Sequence, residues 1–239
     1  MTDNNHPSGT LYGLGVGPGD PELLTLKALR ILRAAPVLAY PAPTEGHSMA
    51  RAIAAPHLPG GQTEIAIRMP LEAARFPAQE IYDAAAEEIS GHLEAGRDVA
   101  ALCEGDPFFY GSFMYLFARL AETHRIEVVP GVSSLTACAA ALNAPLAART
   151  DVLSVVPAPL EEDQLKARLE GCDAAAIIKV GRHVAKVRRV LQELGLEPRA
   201  RYIERASLAA ERILPLSEAA DPAPYFSMVL VHRRGEAWS

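Results

Sequence analysis

The sequence predicts an α/β fold, with strands and helices alternating along most of its 239 residues. Three observations carry this. Short apolar runs such as Val99-Ala100-Ala101-Leu102 recur and are followed by segments with helical apolar spacing. Glycine and proline loops punctuate the ends of those runs. The hydrophobic content, 49%, is ample for a core.

Taken in order, residues 11–16 read as a short buried strand. Asp20-Pro21-Glu22 then starts a helix, with Asp at the N-cap, proline at the first position and an acid in the first turn. Leu23, Leu26, Ala28, Leu29 and Leu32 follow at helical spacing. Residues 36–40 are the next strand, closed by Pro41. A helix at 48–55, a strand at 63–67 and an amphipathic helix at 81–93, ended by Gly96, come next. The strand at 99–102 feeds a sharp loop, after which Phe113, Leu116, Phe117 and Leu120 form an apolar helical face. Residues 126–129 form a further strand, and Ser133 or Ser134 caps a small-residue helix at 135–142. A second βα series has strands at 152–156, 174–180, 201–204, 212–214 and 227–232, and helices at 161–169 and 182–194. The expected division is a tail at 1–9 and two α/β domains, 10–124 and 125–239.

Composition narrows the function classes. Lys plus Arg number 23 against 29 Asp plus Glu, a net charge of −6, which disfavours nucleic-acid binding by bulk attraction. No apolar run is long enough for a membrane span, and the polar start lacks a signal-peptide core, so a cytoplasmic protein is expected. Cys103, Cys138 and Cys172 are too few and scattered for a disulfide framework or a zinc site, and read as buried thiols. The seven histidines show no HxH, HxxH or HExxH spacing, so no metal is expected.

Two glycine loops are the candidate ligand sites. Gly13-Leu14-Gly15-Val16-Gly17-Pro18-Gly19-Asp20 lacks the i, i+2, i+5 glycines of a dinucleotide fingerprint and the Gly-Lys-Ser/Thr of a P-loop. It remains a ligand loop or a structural turn. Cys103-Glu104-Gly105-Asp106-Pro107-Phe108-Phe109-Tyr110-Gly111-Ser112 follows a strand, and ligands of α/β sheets bind beyond the carboxyl ends of strands. Gly105 permits positive φ or close ligand approach, and Pro107 restricts Asp106 to extended geometry. Asp106 either meets a ligand or shapes the loop as an Asx-turn.

Together with Val129-Pro130-Gly131-Val132-Ser133-Ser134, Ile177-Ile178-Lys179-Val180-Gly181-Arg182, Tyr202-Ile203-Glu204-Arg205-Ala206-Ser207 and Phe226-Ser227-Met228-Val229-Leu230-Val231, these loops resemble the tetrapyrrole (corrin/porphyrin) methylases from about residue 10 to 233. The stretch from Cys103 to Tyr115 is most similar to members that methylate meso carbon C20 of precorrin-2. The resemblance implies two α/β domains with a cofactor cleft between them, S-adenosylmethionine as methyl donor, a small-molecule tetrapyrrole substrate and a homodimer. It implies cofactor contacts at Glu104, Gly105, Asp106, Phe109, Ser133, Ser134, Val180, Gly181, Ala206 and Ser207. Substrate contacts fall at Gly17, Pro18, Gly19, Asp20, Tyr110 and Arg205. The proton acceptor is unassigned, with Glu104 and Tyr110 as candidates. Arg68, Arg75, Arg149, Arg182 and His183 are candidates for holding substrate carboxylates. The Arg-Gly-Gly-Glu-Glu type stretch of the uroporphyrinogen methylases is replaced by Ser112-Phe113-Met114-Tyr115-Leu116, which argues against uroporphyrinogen as substrate. The alternatives are the cobalt-loaded substrate, another corrin-ring methylase, a non-catalytic binder of cofactor or tetrapyrrole, or an enzyme of the same fold acting on a macromolecule.

Overall fold

A computed structural model describes residues 8–69 and 79–235. The tail expected at 1–9 falls outside these except for Ser8 and Gly9, and Arg75 lies outside them. The chain forms two compact units, Met1–Ser133 and Ser134–Ser239.

The first unit is a five-stranded sheet in the order β3-β2-β4-β1-β5, with every pairing parallel. Its strands are β1 (Thr10–Gly15), β2 (Val37–Pro43), β3 (Thr63–Met69), β4 (Val99–Cys103) and β5 (Arg125–Val129). The helices are α1 (Leu26–Ala34), α2 (Met49–Ala54), α3 (Gln79–Glu94) and α4 (Phe113–Leu120). Side-chain alternation sorts them onto two faces. Leu14, Ala100 and Leu102 pack with Ala28, Ile31, Leu32 and Ile53 of α1 and α2. Leu11, Val99, Ala101 and Cys103 pack with Ile89, Leu93, Phe113 and Leu116 of α3 and α4. The chain leaving β4 therefore turns to one face, and the chain leaving its neighbours β1 and β2 turns to the other. Such switch points open ligand crevices beyond the strand ends.

The boundary between units falls after Ser133, not after His124. Residues 125–129 were expected to open the second domain, but as β5 they pair with β1 from Thr10↔Arg125 to Leu14↔Val129. That non-local pairing has no local signature.

Two local expectations change. Asp20 caps only a 3-10 turn, Pro21–Leu23, accepting from Glu22 N at 2.8 Å; Leu24 is extended, and Thr25 caps α1 by accepting from Ala28 N at 3.2 Å. Leu26 is consequently 85% exposed rather than part of the apolar face. The second change is that β2 runs through Pro41 and Pro43. Its pairing with β4 stops at Ala39↔Ala101, so on that side the missing proline N–H groups cost no ladder bond.

The second unit contains α5 (Ser134–Ala141), β6 (Leu153–Pro157), α6 (Glu162–Glu170), β7 (Ala174–Ile178), α7 (Val184–Glu193), β8 (Ala200–Glu204), β9 (Arg212–Leu214) and β10 (Ser227–His232). The strand order is β6-β7-β10-β8-β9, with β10 antiparallel to both neighbours. Leu165, Leu169, Val187 and Leu191 of α6 and α7 cover one face, and Leu135, Cys138 and Leu142 cover the other. Among the described residues no helix is long and apolar enough to cross a membrane.

Asp151 anchors the approach to β6. It accepts from both Nη atoms of Arg234 at 2.8 and 3.0 Å, and from Ala148 N at 2.8 Å. His232 Nε2 lies 3.0 Å from the same carboxylate. Arg234, then His232 and the amide, hold its carboxyl well below the usual range. A depressed carboxyl pKa contributes stability above the unfolded value of 3.8, lost as pH falls through the folded pKa. Asp151→Asn is expected to lower the melting temperature at neutral pH, with the gap to wild type narrowing below pH 3.8, as melts across a pH series will show.

Candidate active site

Three loops of the first unit converge where β1, β4 and β5 end. Val16 N donates to Cys103 O at 3.0 Å, and Gly17 and Gly105 exchange backbone bonds at 3.3 and 2.8 Å. Gly17 has φ +81° and Gly105 φ +66°, the left-handed region that favours glycine. The approach is close enough to exclude side chains. A Cβ on Gly15 would lie 2.5 Å from Gly131 Cα, and one on Gly131 would lie 2.0 Å from Gly105 O.

Asp106 ties this junction together. Its Oδ1 accepts from Phe108 N at 2.9 Å, closing an Asx-turn, and its Oδ2 accepts from Gly131 N at 3.0 Å. Both oxygens are thus engaged by backbone, and the residue shapes the loop. Pro18, Gly19 and Asp20 continue from the same crossing into the turn that Asp20 caps.

Glu104 turns toward α2, its Oε1 accepting from Ala50 N at 3.1 Å. Burial pushes its carboxyl pKa up, against the smaller effect of the backbone hydrogen bonds. A raised carboxyl pKa gives stability that is full below the unfolded value of 4.5 and lost as pH rises through the folded pKa. Glu104→Gln keeps an acceptor for Ala50 and removes the buried charge. It is expected to melt at or above the wild-type temperature at pH 8, with no advantage near pH 4.5. A loss of turnover in that stable variant would point to Glu104 as proton acceptor.

Beyond Pro107 the loop displays rings. Phe108, Phe109 and Tyr110 are 49%, 37% and 47% exposed. Phe108 leans edge-on against Phe117, centroids 5.1 Å apart, and Phe109 stands edge-on to Tyr110, also at 5.1 Å. Tyr110 has φ +55°, an uncommon conformation for a bulky residue. Ser133 ends the first unit, and Ser134 begins α5 in the second.

In the second unit, Val180 and Gly181 follow β7, and Ala206 and Ser207 follow β8. Both strands run antiparallel to β10, so these two exits share one edge of the sheet. Lys179, Arg205 and Ser207 there have φ of +57°, +52° and +63°. Such backbone strain in non-glycine residues gathers at functional sites. The Ser207 amide donates to Glu211 Oε2 at 2.7 Å, and the Arg205 amide to Phe226 O at 2.6 Å. Arg182 Nε contacts His183 Nε2 at 3.5 Å; burial, then the Lys186 and Arg182 charges, lower the His183 pKa.

Sequence reasoning missed Glu204 as a residue of interest. It is 1% exposed; Oε1 accepts from Tyr202 OH at 2.9 Å, while Oε2 has no hydrogen bond and lies 3.7 Å from Arg205 and Arg212 Nη1. A strand-end glutamate carries no local sign of burial, though an acid between Ile203 and Arg205 at a motif was a usable hint. A recess of about 20 Å³ beside Arg199, Arg201 and His232 lies at the opposite strand edge and is roughly water-sized. Among the described residues no cluster of His, Cys, Asp and Glu suits a metal.

Residues 10–220 match the family model of Tetrapyrrole (Corrin/Porphyrin) Methylases. The chain belongs to this family. The chain is 42% identical over 232 residues to a Sinorhizobium precorrin-2 C(20)-methyltransferase, covering 93% of this chain and 95% of the relative. It is 45% identical to the Mycobacterium tuberculosis cobalamin biosynthesis protein CobIJ over 93% of its own length, but spans only about half (46%) of that relative. A Salmonella typhimurium cobalt-precorrin-2 C(20)-methyltransferase is 32% identical, over 96% of this chain and 98% of the other. Among solved structures, the uroporphyrin-III C-methyl transferase of Thermus thermophilus complexed with S-adenosyl homocysteine has a TM-score of 0.66 at 26% identity, covering 94% and 92% of the two chains. The cobalt precorrin-4 methyltransferase CbiF has a TM-score of 0.75 at 23% identity, covering 95% and 96%, and shows the shared fold.

Proposed function

We propose that this methylase transfers the methyl group of S-adenosylmethionine to meso carbon C20 of precorrin-2, giving precorrin-3A in cobalamin biosynthesis. The observation that carries the reading is the 42% identity to a precorrin-2 C(20)-methyltransferase across nearly the full length of both chains. The cobalt-loaded substrate is the second reading, favoured by the Salmonella relative.

The exits of the strands fit the donor. A side chain at Gly105 would have only Val132 O nearby, at 3.9 Å, and one at Gly181 would have nothing within 4 Å, so ligand atoms can approach backbone at both. Bound S-adenosylmethionine supplies a methyl group already activated as a sulfonium. The chain needs no strong nucleophile, and its work is positioning and excluding water. The donor contacts proposed from the family resemblance are Glu104, Gly105, Asp106, Phe109, Ser133, Ser134, Val180, Gly181, Ala206 and Ser207. Gly17, Pro18, Gly19, Asp20, Tyr110 and Arg205 meet the tetrapyrrole. C20 attacks in line: a carbon–carbon bond forms, the methyl–sulfur bond breaks with its electrons on sulfur, and C20 releases a proton. Glu104, half-buried where the chain leaves β4, is the leading acceptor, and Tyr110 the other. The enzyme works as a cytoplasmic homodimer, which sedimentation checks; a species of 25.6 kDa alone would exclude it.

The test is anaerobic incubation with S-adenosylmethionine and precorrin-2, with and without cobalt. One added methyl in the product mass supports the reading, and the preferred form assigns the substrate. No gain on either form by folded protein that binds S-adenosylhomocysteine would leave a non-catalytic binder or a different acceptor.

A further inference from the structure

We propose that Arg68 anchors a rim carboxylate of the substrate, an inference that rests on the tetrapyrrole reading above. The protein has a net charge of −6, and a corrin precursor carries several acetate and propionate groups. Attraction must come from local cations rather than from the overall field. In the first unit three other cations are paired with carboxylates. Lys27 pairs with Glu127 at 2.5 Å, Arg51 with Glu64 at 2.9 Å and Arg119 with Asp83 at 2.6 Å. Arg68 differs: among the described residues no carboxylate lies within ion-pair distance of it.

Its placement is equally specific. Arg68 is the penultimate residue of β3, at the same strand-end edge as the glycine crossing. Its Nη1 donates to Pro43 O at 3.0 Å and to Thr44 O at 3.4 Å, where the chain leaves β2. These neutral carbonyls fix the guanidinium without cancelling its charge. Nε and Nη2 make no bond to a described residue and retain the planar fork that matches a carboxylate. Since β3 stands two strands from β4 in the sheet, the guanidinium's strand is about 10 Å from the one that leads into Gly105. That offset suits a group at the rim of a broad macrocycle whose reacting carbon lies over the glycine crossing.

Two other candidates, Arg182 and Arg149, lie in the second unit. Arg182 contacts His183, whose imidazole competes for it. Arg149 sits in a left-handed turn at φ +51°, two residues before the Asp151 carboxylate.

The test titrates wild type, Arg68→Ala and Arg68→Lys, each saturated with S-adenosylhomocysteine, with sirohydrochlorin, the oxidised form of precorrin-2 with its eight carboxylates, and with its octamethyl ester, read by fluorescence. Arg68→Ala is expected to weaken binding of the acid about tenfold, a difference of about 1.4 kcal/mol, and to leave the ester unchanged. Arg68→Lys recovers part of the loss, and the deficit shrinks with added salt. Wild-type affinity for the acid in Arg68→Ala would overturn the anchor alone. A parallel loss of S-adenosylhomocysteine affinity and melting temperature would reduce Arg68 to a brace for the β2 exit. Failure of wild type to bind the acid at all would overturn the tetrapyrrole reading and the anchor with it.

Discussion

Gly131→Ala is expected to lower S-adenosylhomocysteine affinity by about 100-fold and to destabilise the protein by about 1–3 kcal/mol. The added Cβ would sit 2.0 Å from Gly105 O and 2.7 Å from Gly15 Cα. Both obstacles are backbone, so no side-chain rotation relieves them. The loops after β1, β4 and β5 must separate, and the bond from Gly131 N to Asp106 Oδ2, now 3.0 Å, goes with them. Gly91→Ala is the control. Gly91 lies within α3, a Cβ there meets nothing within 4 Å, and helix propensity favours alanine by about 0.5–1 kcal/mol. Calorimetric titration and thermal melts of the two variants separate the crossing from a general intolerance of substitution. Wild-type affinity in Gly131→Ala would show that the junction does not position the donor.

The second large effect is expected at Asp106. Asp106→Asn keeps one acceptor oxygen and places an amide N–H₂ against either Phe108 N–H or Gly131 N–H, which now approach the carboxylate at 2.9 and 3.0 Å. An unpaired donor in such a junction costs about 1–3 kcal/mol, so donor affinity is expected to fall about tenfold or more. The pattern across ligands tells how Asp106 acts. As a loop brace it weakens S-adenosylmethionine and S-adenosylhomocysteine equally. Were its charge directed at the sulfonium, only the charged ligand would suffer, and a selective loss of that kind would contradict the brace.

The two glycine loops were legible because their chemistry is local. Gly105 and Pro107 constrain the backbone wherever they stand, and a ligand at the end of the 99–102 strand follows from the logic of α/β sheets. Strand and helix order was likewise written in apolar spacing. What escaped is non-local. The membership of β5 in the first sheet depends on β1, more than a hundred residues away. The strand through Pro41 depends on where β4 stops pairing. The broken start of α1 was ambiguous because Asp20 and Thr25 are both good caps, and an extended Leu24 separates their turns. Asp106 offered two readings in sequence, and only the position of Gly131 N shows both its oxygens engaged. That Arg68 has no carboxylate partner among the described residues was invisible for the same reason, since ion pairing between distant residues such as Arg51 and Glu64 is a property of the fold.

Where the methyl group goes is the most direct test of the C20 assignment. Wild-type protein is supplied with S-adenosylmethionine labelled in its methyl group and with precorrin-2, and the product is read by NMR. One labelled methyl is expected, on C20, with the C20 proton lost. A label on any other ring carbon, or none transferred by protein that binds the donor, would contradict it.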